Sequence, residues 1–381
     1  MKRLVQSIAA ASLLCLSTSA LAGDTPAPAQ QAQSVSRPKL DVVFVLDTTS
    51  SMSGLIEGAK QKIWSIASRM ASGQPTPDIR VGLVAFRDRG DAYVTKRFDL
   101  TKDLDAVYTN LRGLQAEGGG DTPEHVGQGL GEAVKFMSWT TEGKAAKLIF
   151  LVGDAPAHDD YRDEWNLSAW AKKAIAKGIV VNTIRCGTDE TTATAFKQVA
   201  ALADGSFITL EQSGGMVAEA TPFDDELAKM NAELASKTLV GGKAPSRRSA
   251  EGKLADMKAM APSVASDRLS YNAKTAPTKA GGGGLAGDFG EAVDLTADPS
   301  KLAQLKEDEL PERLRAMDAS KRAAFVAEQA KAKQALEARI VETAKKRDAW
   351  ISTNAKKTKT SFDDKVMESV AVQAAPAGIA Y

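Results

Sequence analysis

The chain has 381 residues, of which 43% are hydrophobic and 25% are charged. This composition is typical of a folded globular protein and excludes a disordered chain, a collagen and a disulfide-rich scaffold. The 49 basic and 48 acidic residues nearly balance. The chain as a whole therefore lacks the basic excess that is typical of nucleic-acid-binding proteins. The charges are unevenly placed, however. Residues 39–240 carry 22 basic against 28 acidic side chains, and residues 241–381 carry 24 against 19.

Residues 1–22 have the order of a secretory signal peptide. Two basic residues precede a mostly apolar run that ends in Ala20-Leu21-Ala22, and this order predicts cleavage before Gly23. We therefore expect an exported protein, periplasmic or secreted, with no stable transmembrane span; an uncleaved N-terminal anchor is the alternative. Cleavage removes Cys15 and leaves Cys186 as the one cysteine of the mature chain, so no internal disulfide can form.

Residues 23–38 are rich in Pro, Ala and Gln, which predicts a flexible linker. After it, short apolar runs alternate with helical stretches. The runs are β-branched and lack polar alternation, which favours strands buried on both faces. These runs lie at residues 41–46, 81–86, 148–152 and 179–184, and the helical stretches lie at residues 54–70, 123–137 and 165–177.

Strands that alternate with helices predict an α/β fold, a Rossmann-like, doubly wound and mostly parallel sheet. Residues 93–98 are the best candidate for a short edge strand and residues 207–210 for the last strand, followed by a closing helix at 222–236. We place this domain at residues 39–240. Ligands of such sheets bind at the carboxyl ends of the strands.

The second part of the chain has a different composition. Residues 241–297 are rich in Gly and small residues, so we expect a low-complexity linker without regular structure. Residues 298–366 are rich in Ala, Lys, Glu and Leu and predict an α-helical C-terminal region, with residues 367–381 as a tail. An apolar stripe after residue 325 makes a coiled coil an alternative for this region. Residues 319–359 hold 11 basic and 4 acidic side chains, which indicates either a solvated face or a surface for an acidic partner.

Carboxylates and hydroxyls occur at three places in the predicted domain, after two of the strands and after one glycine-rich loop. Asp47, Thr49 and Ser51 follow the first strand, Thr122 follows a glycine-rich loop, and Asp154 follows the strand at 148–152. The carboxyl ends of parallel strands share one sheet edge, so these oxygen atoms are expected to cluster there. Oxygen donors without thiolate or imidazole favour Mg²⁺, or another hard cation such as Mn²⁺ or Ca²⁺.

This arrangement resembles the metal-ion-dependent adhesion site of the von Willebrand factor type A (VWA) family, over roughly residues 39–240. The family pattern D-x-S-x-S is matched by Asp47, Thr49 and Ser51, its threonine by Thr122 and its later aspartate by Asp154. The resemblance implies that hydroxyls ligate the metal directly and carboxylates partly through water. It also implies that an acidic side chain of a protein partner fills the open position. Thr49 departs from the usual Ser by one methyl group.

The function predicted from the resemblance is cation-dependent binding of a protein partner with an exposed Asp or Glu. The alternative is a structural scaffold that assembles through its C-terminal helices, by self-association. A Mg²⁺-dependent hydrolase is the third interpretation; we predict no enzyme, because the sequence lacks a nucleophile elbow, a Walker loop and a Cys/His pair. His125 and His158 follow two of the site loops, and we interpret them as surface histidines or as pH-sensitive neighbours of the site.

Overall fold

The computed structural model describes residues 37–158, 160–216, 220–276, 284–354 and 361–381, and its central feature is a six-stranded sheet. The strands are β1 (Lys39–Asp47), β2 (Asp78–Phe86), β3 (Thr95–Thr101), β4 (Ala145–Gly153), β5 (Val180–Cys186) and β6 (Phe207–Leu210). They lie in the order β3-β2-β1-β4-β5-β6, and only β3 runs antiparallel to its neighbour. The predicted fold class is confirmed. The predicted signal peptide lies outside the described residues.

Strand β1 occupies the middle of the sheet, between β2 and β4. Phe44 of β1 pairs in register with Leu83 of β2 and with Phe150 of β4. All residues of β1 after the first are at least partly buried, because helices cover both faces. A continuous apolar run is what such a doubly covered strand requires. Its last residue, Asp47, therefore lies at the centre of the carboxyl edge.

Helices cover both faces of the sheet. Helices α1 (Ser53–Met70) and α2 (Leu104–Arg112) pack on one face, and α3 (Val126–Phe136), α4 (Leu167–Ala176) and α5 (Glu190–Leu202) pack on the other. The sequence analysis missed α2 and α5. Helix α5 begins with several Thr residues, whose low helix propensity hid it; the Asp189 side chain caps it by accepting a hydrogen bond from the Thr192 backbone N–H at 2.6 Å.

The prediction of an irregular linker at residues 241–297 is wrong for most of its length. Helix α6 (Asp224–Lys237), predicted at 222–236, is followed by a two-residue strand β7 (Val240–Gly241) and by helices α7 (Ala244–Ala259) and α8 (Pro262–Thr275). Both α7 and α8 bear a proline in the first turn, where the missing N–H is tolerated. They bury Leu254, Met257 and Leu269 in a second core shared with α6. The many small residues of this segment led to the prediction of a linker, although its few large apolar residues have the spacing of a buried helix face.

The long helix α10 (Ala319–Asn354) packs within the same chain rather than on a second long helix, so the coiled-coil alternative is not supported. After β8 (Val293–Asp294) and the short α9 (Glu312–Arg315), α10 lays its apolar stripe on α6 and α8. Leu336 and Ile340 of this stripe are buried. The stripe is short because it has to match only two short helices.

The final helix, α11 (Phe362–Gln373), returns to the central sheet and packs beside α1. The Phe362 ring lies 6.1 Å from the Phe44 ring. The Asn182 and Gln373 side-chain amides exchange hydrogen bonds of 2.8 and 2.7 Å. Ala380 pairs with Gln74 through two backbone hydrogen bonds. The prediction that residues 367–381 form a tail is wrong, because this segment completes the cover of one sheet face.

The described residues from Arg37 onward form one compact unit. A search of the described helices found none with the length and apolar character needed to cross a membrane.

Replacement of Phe362 tests whether α11 belongs to the core of the domain. We expect Phe362→Ala to lower the free energy of unfolding by about 3–5 kcal/mol, because it leaves a cavity against Phe44. The matched control on the same helix is Val372→Ala, whose side chain is 75% exposed and whose loss should cost less than about 0.5 kcal/mol. Urea unfolding measures both variants. Equal unfolding midpoints would contradict a structural role for α11.

Candidate functional site

Asp47 forms the centre of the candidate site. Its side chain is fully buried, and its Oδ1 accepts hydrogen bonds from the Thr49 backbone N–H at 2.9 Å and from the Thr49 hydroxyl at 2.7 Å. The Ser51 hydroxyl lies 3.4 Å from that of Thr49. Asp47 Oδ2 is buried and has no hydrogen-bond partner among the described residues. The turn after β1 therefore satisfies one carboxylate oxygen and leaves the other free.

Asp154 shows the same division between its two oxygen atoms. It follows β4, the neighbour of β1, and a Cβ at the preceding Gly153 would lie only 3.3 Å from Asp47 Oδ2, so the two loops pack closely. Asp154 Oδ2 accepts a hydrogen bond from Gln212 Nε2 at 2.6 Å. Its Oδ1 is buried without a partner in the described part of the chain. The structure thus brings together four of the five predicted site residues, namely Asp47, Thr49, Ser51 and Asp154.

The glycine-rich loop packs directly on the turn after β1. Gly118 O accepts hydrogen bonds from the Ser50 backbone N–H at 3.3 Å and from the Ser50 hydroxyl at 2.8 Å. Gly119 has a φ of +74°, and a Cβ there would lie 2.8 Å from Thr49 Cβ and 3.3 Å from Glu124 Oε1. Glycine is required because of both its backbone conformation and this close approach. Thr49 and Glu124 therefore lie against the same glycine.

The loop residue buried at the site is Glu124, whereas Thr122 is exposed. Glu124 is 2% exposed, and its Oε2 has no hydrogen-bond partner within the described residues. No described hydrogen bond joins Thr122 to the other four predicted residues. The sequence analysis missed Glu124 because an acid at the start of a helix has a sufficient structural reason to be there. It also missed Gln212, an exposed neutral side chain that carries no signal in the sequence.

Burial strongly disfavours negative charge at this site. It raises the pKa of Asp47 from 3.8 to about 7. The hydrogen bonds from Thr49 oppose this rise, the charge of Asp154 adds to it, and the Asp154 backbone N–H opposes it weakly. Burial also raises the pKa of Glu124 from 4.5 to about 9, with further contributions from the charges of Asp47, Asp88, Asp91 and Asp121. No basic side chain is among these contributions. The neighbouring side-chain charges that shift these two pKa values are therefore all acidic.

Both histidines lie in one network beside the site. His125 is buried, with only 3% of its surface exposed, so its interpretation as a surface histidine is wrong. This burial lowers the pKa of His125. The His158 ring stacks on Tyr161 with a centroid distance of 3.9 Å, and its Nδ1 lies 2.6 Å from Asp160 Oδ1. Tyr161 donates a hydrogen bond to Asp88 Oδ2 at 2.8 Å. The aromatic stack and these bonds hold His158 in place.

The chemistry of the donor set fits a hard cation. Within the described ranges, no group of three or more His, Cys, Asp or Glu side chains is arranged to hold a metal ion. The donors that converge here are of a different kind, since hydroxyls complement the carboxylates. A buried carboxylate oxygen without a partner is costly, and Asp47 Oδ2 and Asp154 Oδ1 are two such atoms in adjacent loops. A divalent cation between the loops would satisfy both.

Residues 41–219, just under half of the chain, match the family model of the von Willebrand factor A domain. The strand order and the family match show that residues 41–219 have the fold of a VWA domain. An α-helical C-terminal region follows them. The match to the family model covers β1 through β6 and all five predicted site residues.

Comparison with curated and solved proteins gives distant relatives. "Alpha-protein kinase vwkA" of Dictyostelium discoideum is 26% identical over 120 residues, which are 31% of this chain and 19% of the kinase. This chain thus matches about a fifth of that relative. The SpRpn10 VWA domain is 16% identical, with 47% of this chain and 90% of that chain covered and a TM-score of 0.36. Proximal thread matrix protein 1 from the mussel byssus, in a structure with a zinc-occupied MIDAS motif, is 18% identical, with coverage of 46% and 42% and a TM-score of 0.36.

The pKa values predict how the stability of the cation-free protein changes with pH. The folded protein holds the Asp47 proton up to about pH 7, whereas the unfolded chain releases it near pH 4. The folded state binds more protons in that window, so the free energy of unfolding falls as pH rises from about 4 to 7. Glu124 extends the fall toward pH 9. Chemical denaturation in chelator, at intervals of pH, measures this slope.

The matched variant for this prediction is Asp47→Asn, which cannot ionise. We expect its stability to fall less steeply than that of the wild type between pH 4 and 7, because only the Asp47 contribution is removed. Parallel slopes for the two proteins would contradict the assigned pKa.

Proposed function

We propose that the VWA domain holds a divalent cation, Mg²⁺ or else Mn²⁺ or Ca²⁺, and uses it to bind a protein partner through an acidic side chain of that partner. The observation that supports this proposal is the pair of buried, unpartnered oxygens, Asp47 Oδ2 and Asp154 Oδ1. VWA domains commonly bind protein partners in this way, as the family match implies. The cation supplies the positive charge that the site lacks.

The residues proposed to hold the cation come from three loops. Asp47, Thr49 and Ser51 lie in the turn after β1, and Asp154 follows β4. From the glycine-rich loop, we propose Glu124 in the position that the family resemblance gives to Thr122, because Glu124 is buried at the site and Thr122 is exposed. Carboxylate and hydroxyl oxygens are the ligands that Mg²⁺ and Ca²⁺ prefer. The exposed Ser51 leaves the site open to a ligand on the solvent side.

The acidic character of the domain gives the cation a role in partner choice. Residues 39–240 carry more acidic than basic side chains, so the surface repels an acidic partner at long range. Binding of an Asp or Glu therefore depends on local attraction at the site. We propose binding rather than catalysis, because the sequence contains no nucleophile elbow, Walker loop or Cys/His pair.

Metal titration tests the proposed ligands. We expect Asp47→Ala and Glu124→Gln each to weaken Mn²⁺ binding, measured by isothermal titration calorimetry, by at least about tenfold. Asp225→Ala, which removes an exposed acid of α6, is the matched control and should leave the affinity unchanged. Thr122→Val should also have little effect. A loss of affinity in Thr122→Val but not in Glu124→Gln would return the role to Thr122.

The partner step is tested with the full-length protein, since α11 is part of the domain core. A pull-down from an envelope extract should recover a partner in Mg²⁺, and both chelator and Asp47→Ala should abolish the recovery. A partner that binds equally in chelator would contradict the cation-dependent mechanism. If the partner that binds in chelator is a second copy of this chain, the result would instead support a scaffold that self-associates through its C-terminal helices.

We also propose that the protein is exported after cleavage of residues 1–22. The charged, apolar and small-residue order of this segment supports the proposal. We expect cell fractionation and mass spectrometry to find a mature chain that starts at Gly23, in the periplasm or the medium. A full-length chain in the cytoplasmic fraction would contradict it.

A further inference from the structure

We propose that Gln212 is a positioning residue of the cation site, which orients Asp154 so that one of its oxygens faces the cation. This inference rests on the proposed function. Gln212 lies in the loop after β6, 58 residues beyond Asp154 in the chain. Its Nε2 donates to Asp154 Oδ2 at 2.6 Å and to the Ser51 backbone carbonyl at 3.1 Å. One amide group therefore joins the loop after β4 to the turn after β1.

The two aspartates at the site need the same kind of support but obtain it from different sources. Thr49 supplies donors to Asp47 Oδ1 from within the same turn. Asp154 Oδ2 receives its donor from Gln212. In each case the second oxygen is buried and unpartnered. Gln212 thus does for Asp154 what Thr49 does for Asp47, because it occupies one oxygen and fixes the direction of the other.

The neighbours of Gln212 hold it in this position. Gly187 has a φ of +74°, and a Cβ there would lie 2.4 Å from Gln212 Oε1, so the amide packs closely on the end of β5. Met216 packs against Gly58 on α1, where an added Cβ would lie only 2.9 Å from Met216 Cβ. The Phe362 backbone N–H, at the start of α11, donates to Gly214 O at 3.0 Å. Gln212, Gly214 and Met216 therefore pack on the end of β5, on α11 and on α1, respectively.

The side chain of Gln212 is exposed, so it contributes little to the stability of the fold. A neutral amide also adds no charge, and the donor leaves both aspartates free to balance a divalent ion. Groups that orient metal ligands in this way commonly change metal affinity by about 10–100-fold when they are removed. The expected signature of Gln212 is thus a change in metal affinity without a change in cation-free stability.

The test compares Gln212→Leu, which keeps the size of the side chain and removes its donor, with Gln304→Leu, the same change at an exposed glutamine of the C-terminal region. Mn²⁺ alone is the probe. We expect Gln212→Leu to weaken Mn²⁺ binding by about tenfold and to reduce the rise in melting temperature that Mn²⁺ produces. Its melting temperature in chelator should equal that of the wild type. Gln304→Leu should match the wild type in every measurement.

The outcomes separate this inference from the proposed function. If the wild type binds no Mn²⁺, both fail. If the wild type binds Mn²⁺ and Gln212→Leu binds it equally tightly, the positioning role alone is overturned. A lower melting temperature in chelator, with an unchanged Mn²⁺-induced rise, would assign Gln212 a structural role instead.

Discussion

The interaction on which the candidate site depends is the burial of Asp47 at the end of the central strand. A carboxylate at the middle of a doubly covered sheet loses its water, and the donors of Thr49 replace only part of that hydration, with a smaller contribution from the Asp154 backbone N–H. The remaining deficit appears as one unpartnered oxygen and a raised pKa. The adjacent β4 loop adds a second acid, Asp154, whose Oδ1 is also buried without a partner in the described part of the chain. Such an arrangement is costly in the absence of a counter-charge, and the proposed cation would offset this cost.

The domain also depends on its C-terminal segment. In the sequence, the helix at 222–236 was expected to close the sheet, and it instead packs on α7, α8 and α10 in a second core. The sheet face beside α1 is then covered by α11, more than a hundred residues later. The two cores are joined by the fully buried Arg268 of α8, which makes a bidentate pair with Asp105 of α2 at 2.7 and 3.0 Å. The helical region is thus built into the domain rather than tethered to it.

The fold class was predictable from the sequence, and so was the proximity of Asp47, Thr49, Ser51 and Asp154, because both depend on local patterns. A buried parallel strand must be a continuous apolar run, and Asp47, Thr49 and Ser51 follow such a run directly. The missing parts depend on long-range packing. Glu124 has an ordinary explanation as a helix-start acid, and only its burial beside Gly119 distinguishes it. Gln212 reaches the site from the loop after β6, and Phe362 reaches the core from α11. No spacing in the sequence relates either residue to Asp47.

The basic residues of α10 are partly used in ion pairs within the chain. Part of the basic character of α10 is turned inward, since Arg347 contacts Asp224 at 2.7 Å and Asp267 at 2.8 Å, and Lys333 pairs with Asp294. These pairs join α10 to α6, α8 and β8, so part of a charged face that the sequence presents as available to a partner is used for packing. The acids at the carboxyl edge have no such counterpart among the contributions to their pKa values. The described part of the chain therefore uses some of its basic side chains for packing, whereas the acids at the edge where a cation is proposed to bind disfavour one another's charge.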